Sequence, residues 1–74
     1  MAAEVLDTKG LNCPLPILKA RKALSVLQAG QVLEVLATDP GSMADFEAFC
    51  RQTGCELMES GEDDGVYRFV IKNV

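Results

Sequence analysis

The alternation of apolar and polar residues along the chain predicts four β-strands. Short runs rich in apolar residues, bounded by glycine or by polar segments, are typical of strands. Such runs cover residues 4–8, 31–38, 56–60 and 66–72. In the last run Tyr67, Phe69 and Ile71 fall on one face, and the mixed set Val66, Arg68, Val70 and Lys72 falls on the other. The sheet is therefore expected to have one covered face and one face open to water.

Two segments instead show the spacing of amphipathic helices. The first begins at Cys13 and ends before Gly30. Its apolar face consists of Ile17, Ala20, Leu24 and Leu27. For the second helix, Asp39 is the expected N-cap, Pro40 the first helical residue and Gly54 the residue that ends it.

The resulting order of elements, β-α-β-α-β-β, predicts a two-layer α/β sandwich. Both β-α-β crossover connections should be right-handed, so the two helices should lie on the same face of the sheet. The polar segment 61–65 predicts a five-residue hairpin loop between the last two strands. A chain of 74 residues has no room for a second core, so residues 1–74 are expected to form one domain.

The charge of the chain is acidic overall but uneven. Seven Lys or Arg residues against eleven Asp or Glu residues give a net charge of −4. Binding to phosphates needs a basic surface, so nucleic acid is not an expected direct partner. Residues 1–30 hold four basic and two acidic residues, whereas residues 31–65 hold one basic and nine acidic residues. The first helix is thus expected to lie in a locally basic setting.

The cysteine content indicates a reducing compartment. Three cysteines cannot all pair within the chain, which makes a poor framework for a small secreted protein. The N-terminus does not resemble a signal peptide, and no apolar run approaches the length that spans a bilayer. We expect a cytoplasmic protein with free thiols and no membrane association, and nothing in the sequence requires more than a monomer.

The candidate chemistry centres on Cys13. This cysteine follows a strand and a loop and opens a helix, where the helix dipole favours a thiolate. Lys9, Lys19 and Lys22 lie near enough in sequence to add to that effect. Pro14 and Pro16 follow Cys13, stiffen the turn and remove two N–H donors. The expected site is an accessible nucleophilic thiol with a lowered pKa, shaped by these two prolines.

The residues that are missing limit what this thiol can do. There is no histidine to serve as a base, no catalytic triad and no glycine-rich phosphate loop. An activated thiol without a substrate pocket can accept a group and pass it on, which indicates a carrier. Two other functions stay open: an interaction module in which Cys13 has no turnover role, and a redox sensor in which Cys55 resolves an oxidised Cys13.

The segment around Cys13 resembles the signature of the TusA (SirA-like) family of sulfur carriers. The resemblance rests on Leu6-Asp7 and on Gly10-Leu11-x-Cys13-Pro14-x-Pro16, and it continues at 37–42, 45–46 and 67–71. It implies a mixed sheet of strand order 1-2-4-3 with the last strand antiparallel to the rest. It also implies that Cys13 carries a sulfane sulfur as a persulfide.

The same resemblance implies the partners of such a carrier. The sulfur donor would be a cysteine desulfurase or a rhodanese-like sulfurtransferase, and the recipient would be a sulfur-accepting protein. The pathways served by the family include tRNA thiolation, cofactor biosynthesis and sulfur oxidation, and no residue here decides among them.

The outer face of the first helix is a candidate docking surface for such partners. Helical geometry places Leu15, Leu18, Lys19 and Lys22 away from the apolar face. Two leucines beside a reactive thiol, bordered by two lysines, would suit a transient partner. The alternative is that Leu18 packs against the second helix and that the lysines are merely solvated.

The other two cysteines and the acidic residues have simpler interpretations. Cys50 lies on the apolar face of the second helix beside Phe49, so we expect a core residue there. Cys55 could be partly exposed, and a redox role for it stays open. Three scattered cysteines without histidine make a poor zinc site, and 62–64 lacks the spaced ligands of a calcium loop. We expect no metal and no cofactor.

Overall fold

The computed structural model describes residues 4–74 and contains a four-stranded mixed sheet with two helices. The elements are β1 (Glu4–Thr8), α1 (Leu15–Ser25), β2 (Val32–Ala37), α2 (Ser42–Thr53), β3 (Glu56–Asp63) and β4 (Val66–Lys72). The strand order is β1-β2-β4-β3. β1 and β2 are parallel, and β4 is antiparallel to both of its neighbours. This confirms the predicted fold class and strand order.

The core lies between the sheet and both helices. Burial alternates along β2, where Leu33, Val35 and Ala37 face inward. Val35 is paired across the sheet with Phe69 of β4, whose ring stacks on Phe46 of α2 at a centroid distance of 4.6 Å. The two helices contribute residues to one continuous cluster with these strands, so they cover the same face of the sheet. The predicted two-layer arrangement is confirmed.

The opposite face of the sheet carries an ion-pair network. Arg68 of β4 donates from Nε to Glu34 of β2 at 2.6 Å and from Nη1 to Glu59 of β3 at 3.0 Å. These contacts cross three adjacent strands, and about half of the Arg68 side chain is exposed. Solvent-exposed pairs of this kind each contribute about 0–1 kcal/mol. The polar residues therefore mark the open face that the alternation in β4 predicts.

The helix starts differ from the prediction. α1 begins at Leu15 with Pro14 as its N-cap residue, two residues later than expected. α2 begins at Ser42 with Gly41 as its N-cap, so Pro40 is not helical and Asp39 is not the cap. The Asp39 carboxylate instead accepts two N–H groups outside the helix, that of Cys13 at 3.1 Å and that of Gly41 at 3.4 Å. The C-terminal end of α2 is confirmed, since Gly54 adopts the left-handed conformation with φ of 81°.

The predicted five-residue hairpin loop at 61–65 is wrong. β3 continues to Asp63, and the connection is a two-residue turn of Asp64 and Gly65 with φ of 54° and 84°. Positive φ at both positions is typical of the type I′ turn, whose twist matches that of paired strands. Polar residues at 61–63 therefore belong to a solvated strand at the edge of the sheet.

No helix within residues 4–74 combines the length and the apolar character that crossing a bilayer requires.

Candidate thiol site at the start of α1

The loop between β1 and α1 is held by hydrogen bonds to β2 and to the loop after it. Thr8 is fully buried at the end of β1, and its Oγ1 donates to the carbonyl of Leu36 at 2.6 Å. Gly10 has a φ of +84° and donates its N–H to Thr38 Oγ1 at 2.9 Å. A side chain at Gly10 would strain this turn. These contacts fix the path of the chain towards Cys13.

Cys13 is exposed immediately before α1, next to the loop that follows β2. Its backbone N–H donates to Asp39 Oδ2 at 3.1 Å. The Cys13–Pro14 peptide bond is cis. Because β1 and β2 are adjacent and parallel, the segments after them emerge at the same edge of the sheet. This edge is where the thiol and Asp39 meet.

Two carboxylates surround the thiol. Cys13 Sγ and a carboxylate oxygen from each of Asp39 and Asp45 all lie within 4.8 Å of one another. Asp39 lies in the loop after β2, and Asp45 lies in the first turn of α2. Three groups of this kind fall short of the four ligands of a structural zinc site, so we assign no metal here.

The environment of Cys13 shifts its pKa in the direction opposite to the prediction. The hydrogen bond to Asp45, followed by desolvation and the negative charges of Asp45 and Asp39, raises the pKa of Cys13 above its ordinary value. The predicted lowering of the pKa by the helix dipole and by nearby lysines is therefore wrong in sign.

Several backbone N–H groups near the thiol are missing or already used. Pro14 and Pro16 have none, as the sequence indicates. The N–H of Leu15 donates to the carbonyl of Asn12 at 2.9 Å, and that of Cys13 donates to Asp39. Pro16 is also buried in the first turn of α1. The prolines thus sit where the sequence predicts, but this turn presents few amide donors to an anionic sulfur.

The three lysines expected around the thiol lie elsewhere. Lys9 pairs with Asp7 at 3.9 Å. Lys19 and Lys22 line a hollow together with Leu6, Ala23 and Val26, and Cys13 does not contribute to it. The helix therefore presents its lysines on a side other than that of the thiol.

A groove between the helices begins at the thiol. Its volume is about 220 Å³, smaller than a typical ligand cleft. It is lined by Cys13, Pro14, Ile17, Arg21, Asp45, Ala48, Phe49 and Gln52. The Arg21 guanidinium lies over the Phe49 ring, 5.4 Å from the ring centroid. The groove is thus acidic at Asp45, beside the thiol, and it also contains the Arg21 cation, which lies over the Phe49 ring.

The predicted docking residues are all on the surface. Leu15 is 45% exposed and Leu18 is 52% exposed, which is unusual for leucine, and Lys19 and Lys22 are also exposed. Leu18 therefore does not pack into the interface with α2. The exposure of all four residues is as predicted, whereas the use of this surface by a partner remains a prediction.

The other cysteines are distinct from Cys13 in burial and position. Cys50 is 4% exposed within the core, as expected, and burial raises its pKa to about 11. Cys55 is half-buried after the end of α2. The helix from Asp45 to Thr53 rises about 12 Å, whereas a disulfide needs Cα atoms about 4.4–6.8 Å apart. The Cys13 thiol lies beside Asp45, near the start of α2, whereas Cys55 lies beyond the end of α2. This separation opposes a resolving role for Cys55.

Sequence reasoning misses the two carboxylates. It assigns Asp39 to a helix cap and does not single out Asp45 as a site residue. A signal for Asp39 is available, because it follows β2 as Cys13 follows β1, and adjacent parallel strands bring such residues together. Asp45 depends on how α2 is placed across the sheet, which the pattern of one sequence does not give.

The two-layer α/β fold and the exposed thiol before α1 define a class of small domains that present one accessible cysteine to other molecules. Comparison with known proteins places the chain more narrowly. The family model described as "Sulfurtransferase TusA" matches residues 4–73, and the chain belongs to this family. This confirms the resemblance seen in the sequence.

Relatives and a solved structure agree with this assignment. The chain is 63% identical over 67 residues to the sulfur carrier protein TusA of Allochromatium vinosum, covering 90% of this chain and 88% of that protein. It is 58% identical over 73 residues to a putative sulfur carrier protein of Neisseria meningitidis, covering 99% of each. The crystal structure of a SirA-like protein from Desulfitobacterium hafniense superposes with a TM-score of 0.81 at 30% identity, covering 93% of this chain and 95% of that chain.

Proposed function

We propose that this protein is a sulfur carrier that accepts a sulfane sulfur as a persulfide on Cys13 and passes it to an acceptor protein. The observation that carries the proposal is the exposure of Cys13, next to the groove between the helices, in a chain of the TusA family. Cys50 is buried and Cys55 is half-buried, so neither offers an equally accessible sulfur.

The chemistry of loading needs no group beyond the two proteins. Cys13 Sγ attacks the outer sulfur of a donor persulfide, an S–S bond forms to Cys13, and the S–S bond of the donor breaks. The electron pair of that bond leaves with the donor sulfur, which ends as a thiol after taking up the proton of Cys13. An acceptor thiol then attacks the outer sulfur on Cys13 in the same way. No net oxidation occurs in either step.

Pro14 and Pro16 shape this site. Pro14 precedes the helix, and Pro16 is buried in its first turn, where a missing N–H costs least. Their rigid rings limit the positions that the thiol can adopt. We attribute to them the placement of the sulfur and not its activation, because the pKa of Cys13 is raised.

The donor is a cysteine desulfurase or a rhodanese-like sulfurtransferase, and the recipient is a sulfur-accepting protein. Support for docking on α1 comes from the exposed Leu15 and Leu18, while the exposed Lys19 and Lys22 lie on another side of that helix. The net charge of −4 disfavours direct contact with nucleic acid. We propose that residues 1–74 act as one carrier domain, as a monomer in the cytoplasm.

The test is to load the protein and to locate the sulfur. The protein is incubated with a cysteine desulfurase and cysteine, or with a sulfurtransferase and thiosulfate, and its peptides are then mapped by mass. We expect one added sulfur atom on the Cys13 peptide, which reductant removes and which Cys13→Ser lacks. Cys55→Ser is the matched control and should load normally. Sulfur on Cys50 or Cys55 alone would overturn the proposal.

A further inference from the structure

The unloaded thiol of Cys13 faces negative charge in an otherwise accessible position. Its Sγ and the nearest oxygens of Asp39 and Asp45 lie within 4.8 Å of one another. One carboxylate comes from the loop after β2 and the other from α2, so two separate segments bring acidic groups to the same sulfur. Arg21 of α1 lines the same groove, but its guanidinium lies over the Phe49 ring.

We propose that Asp45, together with Asp39, keeps the unloaded Cys13 as a neutral thiol, and that the sulfur donor activates it by placing a lysine or arginine side chain against these carboxylates. This inference rests on the proposed function and specifies the chemistry of its partner. A cation in that position would offset both negative charges and favour the thiolate. The nucleophile would thus form in the complex and not in the free carrier.

The argument for a cationic partner is one of charge complementarity. Two carboxylates close to one sulfur repel an anionic group that approaches it and attract a cationic one. Two unit charges about 4 Å apart in bulk water change the equilibrium constant for their association about fivefold. Partial exclusion of water increases this effect. The same carboxylates limit reaction of the free thiol with unrelated electrophiles, because the thiolate is the reactive form.

The protons and electrons balance in the proposed activation. Cys13 loses its proton as the cation of the donor approaches, and its thiolate attacks the outer sulfur of the donor persulfide. The donor sulfur leaves with the electron pair and takes up one proton, so that the donor is returned as a thiol. Asp45 remains a carboxylate before and after the step, and it acts here as a positioning residue.

The first measurement is the rate at which iodoacetamide, an uncharged reagent, alkylates Cys13 near pH 8. We expect Asp45→Asn to react about twofold to fivefold faster than the unsubstituted protein. The gain is smaller than the gain in thiolate, because a less basic thiolate is also a weaker nucleophile. Glu47→Gln is the matched control, since it removes the same charge from an exposed position on the same helix. Its rate should not change.

The second measurement probes charge recognition without any sulfane sulfur. Thiol–disulfide exchange is followed with cystamine, which is cationic, and with 3,3′-dithiodipropionate, which is anionic. In each case Cys13 attacks one sulfur, a mixed disulfide forms, and the other half leaves as a thiolate. At low salt we expect the unsubstituted protein to prefer cystamine, and Asp45→Asn to lower that rate ratio about tenfold. Thermal unfolding monitored by circular dichroism verifies that each variant is folded.

The outcomes separate this inference from the proposed function. An unchanged iodoacetamide rate in Asp45→Asn, or an unchanged preference between the two disulfides, overturns it. An equal loss of preference in Glu47→Gln also overturns it, because net charge alone would then explain the effect. If Cys13 accepts sulfane sulfur but these results are negative, only this inference falls. If the charge effects are present and Cys13 accepts no sulfane sulfur, the proposed function falls.

Discussion

The backbone N–H of Cys13 donates to Asp39 Oδ2 at 3.1 Å, which joins the two loops that follow the adjacent parallel strands β1 and β2. The other oxygen of this carboxylate, Oδ1, accepts the N–H of Gly41 at 3.4 Å. We expect Asp39→Ala to lower the free energy of unfolding by about 1–2 kcal/mol, because a hydrogen bond to a carboxylate is lost. Urea denaturation measures this change. Asp39→Asn keeps an acceptor and should cost less, and equal losses in both variants would contradict the argument.

The stacked rings of Phe46 and Phe69 predict how sensitive this small core is. Both side chains are fully buried. Replacing Phe46 by Ala should cost about 3–5 kcal/mol, which is comparable to the whole stability of a domain of this size. We therefore expect Phe46→Ala to be largely unfolded at room temperature by circular dichroism, whereas Phe46→Leu stays folded with a lower melting temperature. A cooperative, nearly unchanged melt of Phe46→Ala would contradict this core.

The lysines on α1 predict an effect on transfer without an effect on folding. Lys19 and Lys22 are exposed and line a hollow that is separate from the thiol groove. We expect Lys19→Glu combined with Lys22→Glu to slow sulfur loading of Cys13 by a partner about tenfold or more, with an unchanged melting temperature. The control is Arg51→Glu, an exposed cation on α2. Equal rates in the double variant and the unsubstituted protein would remove these lysines from the docking surface.

The buried thiol of Cys50 predicts a loss of stability in alkali. Burial raises its pKa from 9.0 to about 11 in the folded protein. The folded state therefore holds a proton that the unfolded state releases between about pH 9 and 11, so stability falls as the pH rises through this range. The contribution is fully present below pH 9.

Chemical denaturation at several pH values checks this dependence. We expect the free energy of unfolding of the unsubstituted protein to fall more steeply above pH 9 than that of Cys50→Ala, which lacks the thiol. The variant removes only one sulfur atom from the core, so it should fold. Parallel curves for the two proteins would show that Cys50 is not the source of the loss.

The fold can be predicted from the sequence to a large extent, because each pattern has one physical solution. Period-two burial in β2 and helical spacing in α1 both follow from local patterns in the sequence, and right-handed crossovers then place the helices. The strand order follows from the family resemblance. The turn at Asp64 and Gly65 is mispredicted because polar residues at 61–63 suggest a loop, whereas they form a solvated edge strand.

The candidate site can be predicted in position but not in electrostatics. Cys13, Pro14 and Pro16 are close together along the chain, so their grouping is visible in the sequence itself. Asp39 and Asp45 approach the thiol only when β2 and α2 are packed, and hydrogen bonding to Asp45, desolvation and the two negative charges then raise the pKa of Cys13. Lys19 and Lys22 are close to Cys13 along the chain, yet they lie on another side of the helix.

The shortage of free amides around Cys13 has a consequence for how long sulfur would stay on the carrier. A storage site would surround an anionic persulfide with donors, but here Pro14 and Pro16 lack an N–H, and the N–H groups of Cys13 and Leu15 are occupied. The outer sulfur, about 2 Å beyond Sγ, would extend from the surface with little to stabilise its charge. Such an arrangement favours brief residence and rapid departure of the sulfur, and it suits transfer between proteins better than accumulation.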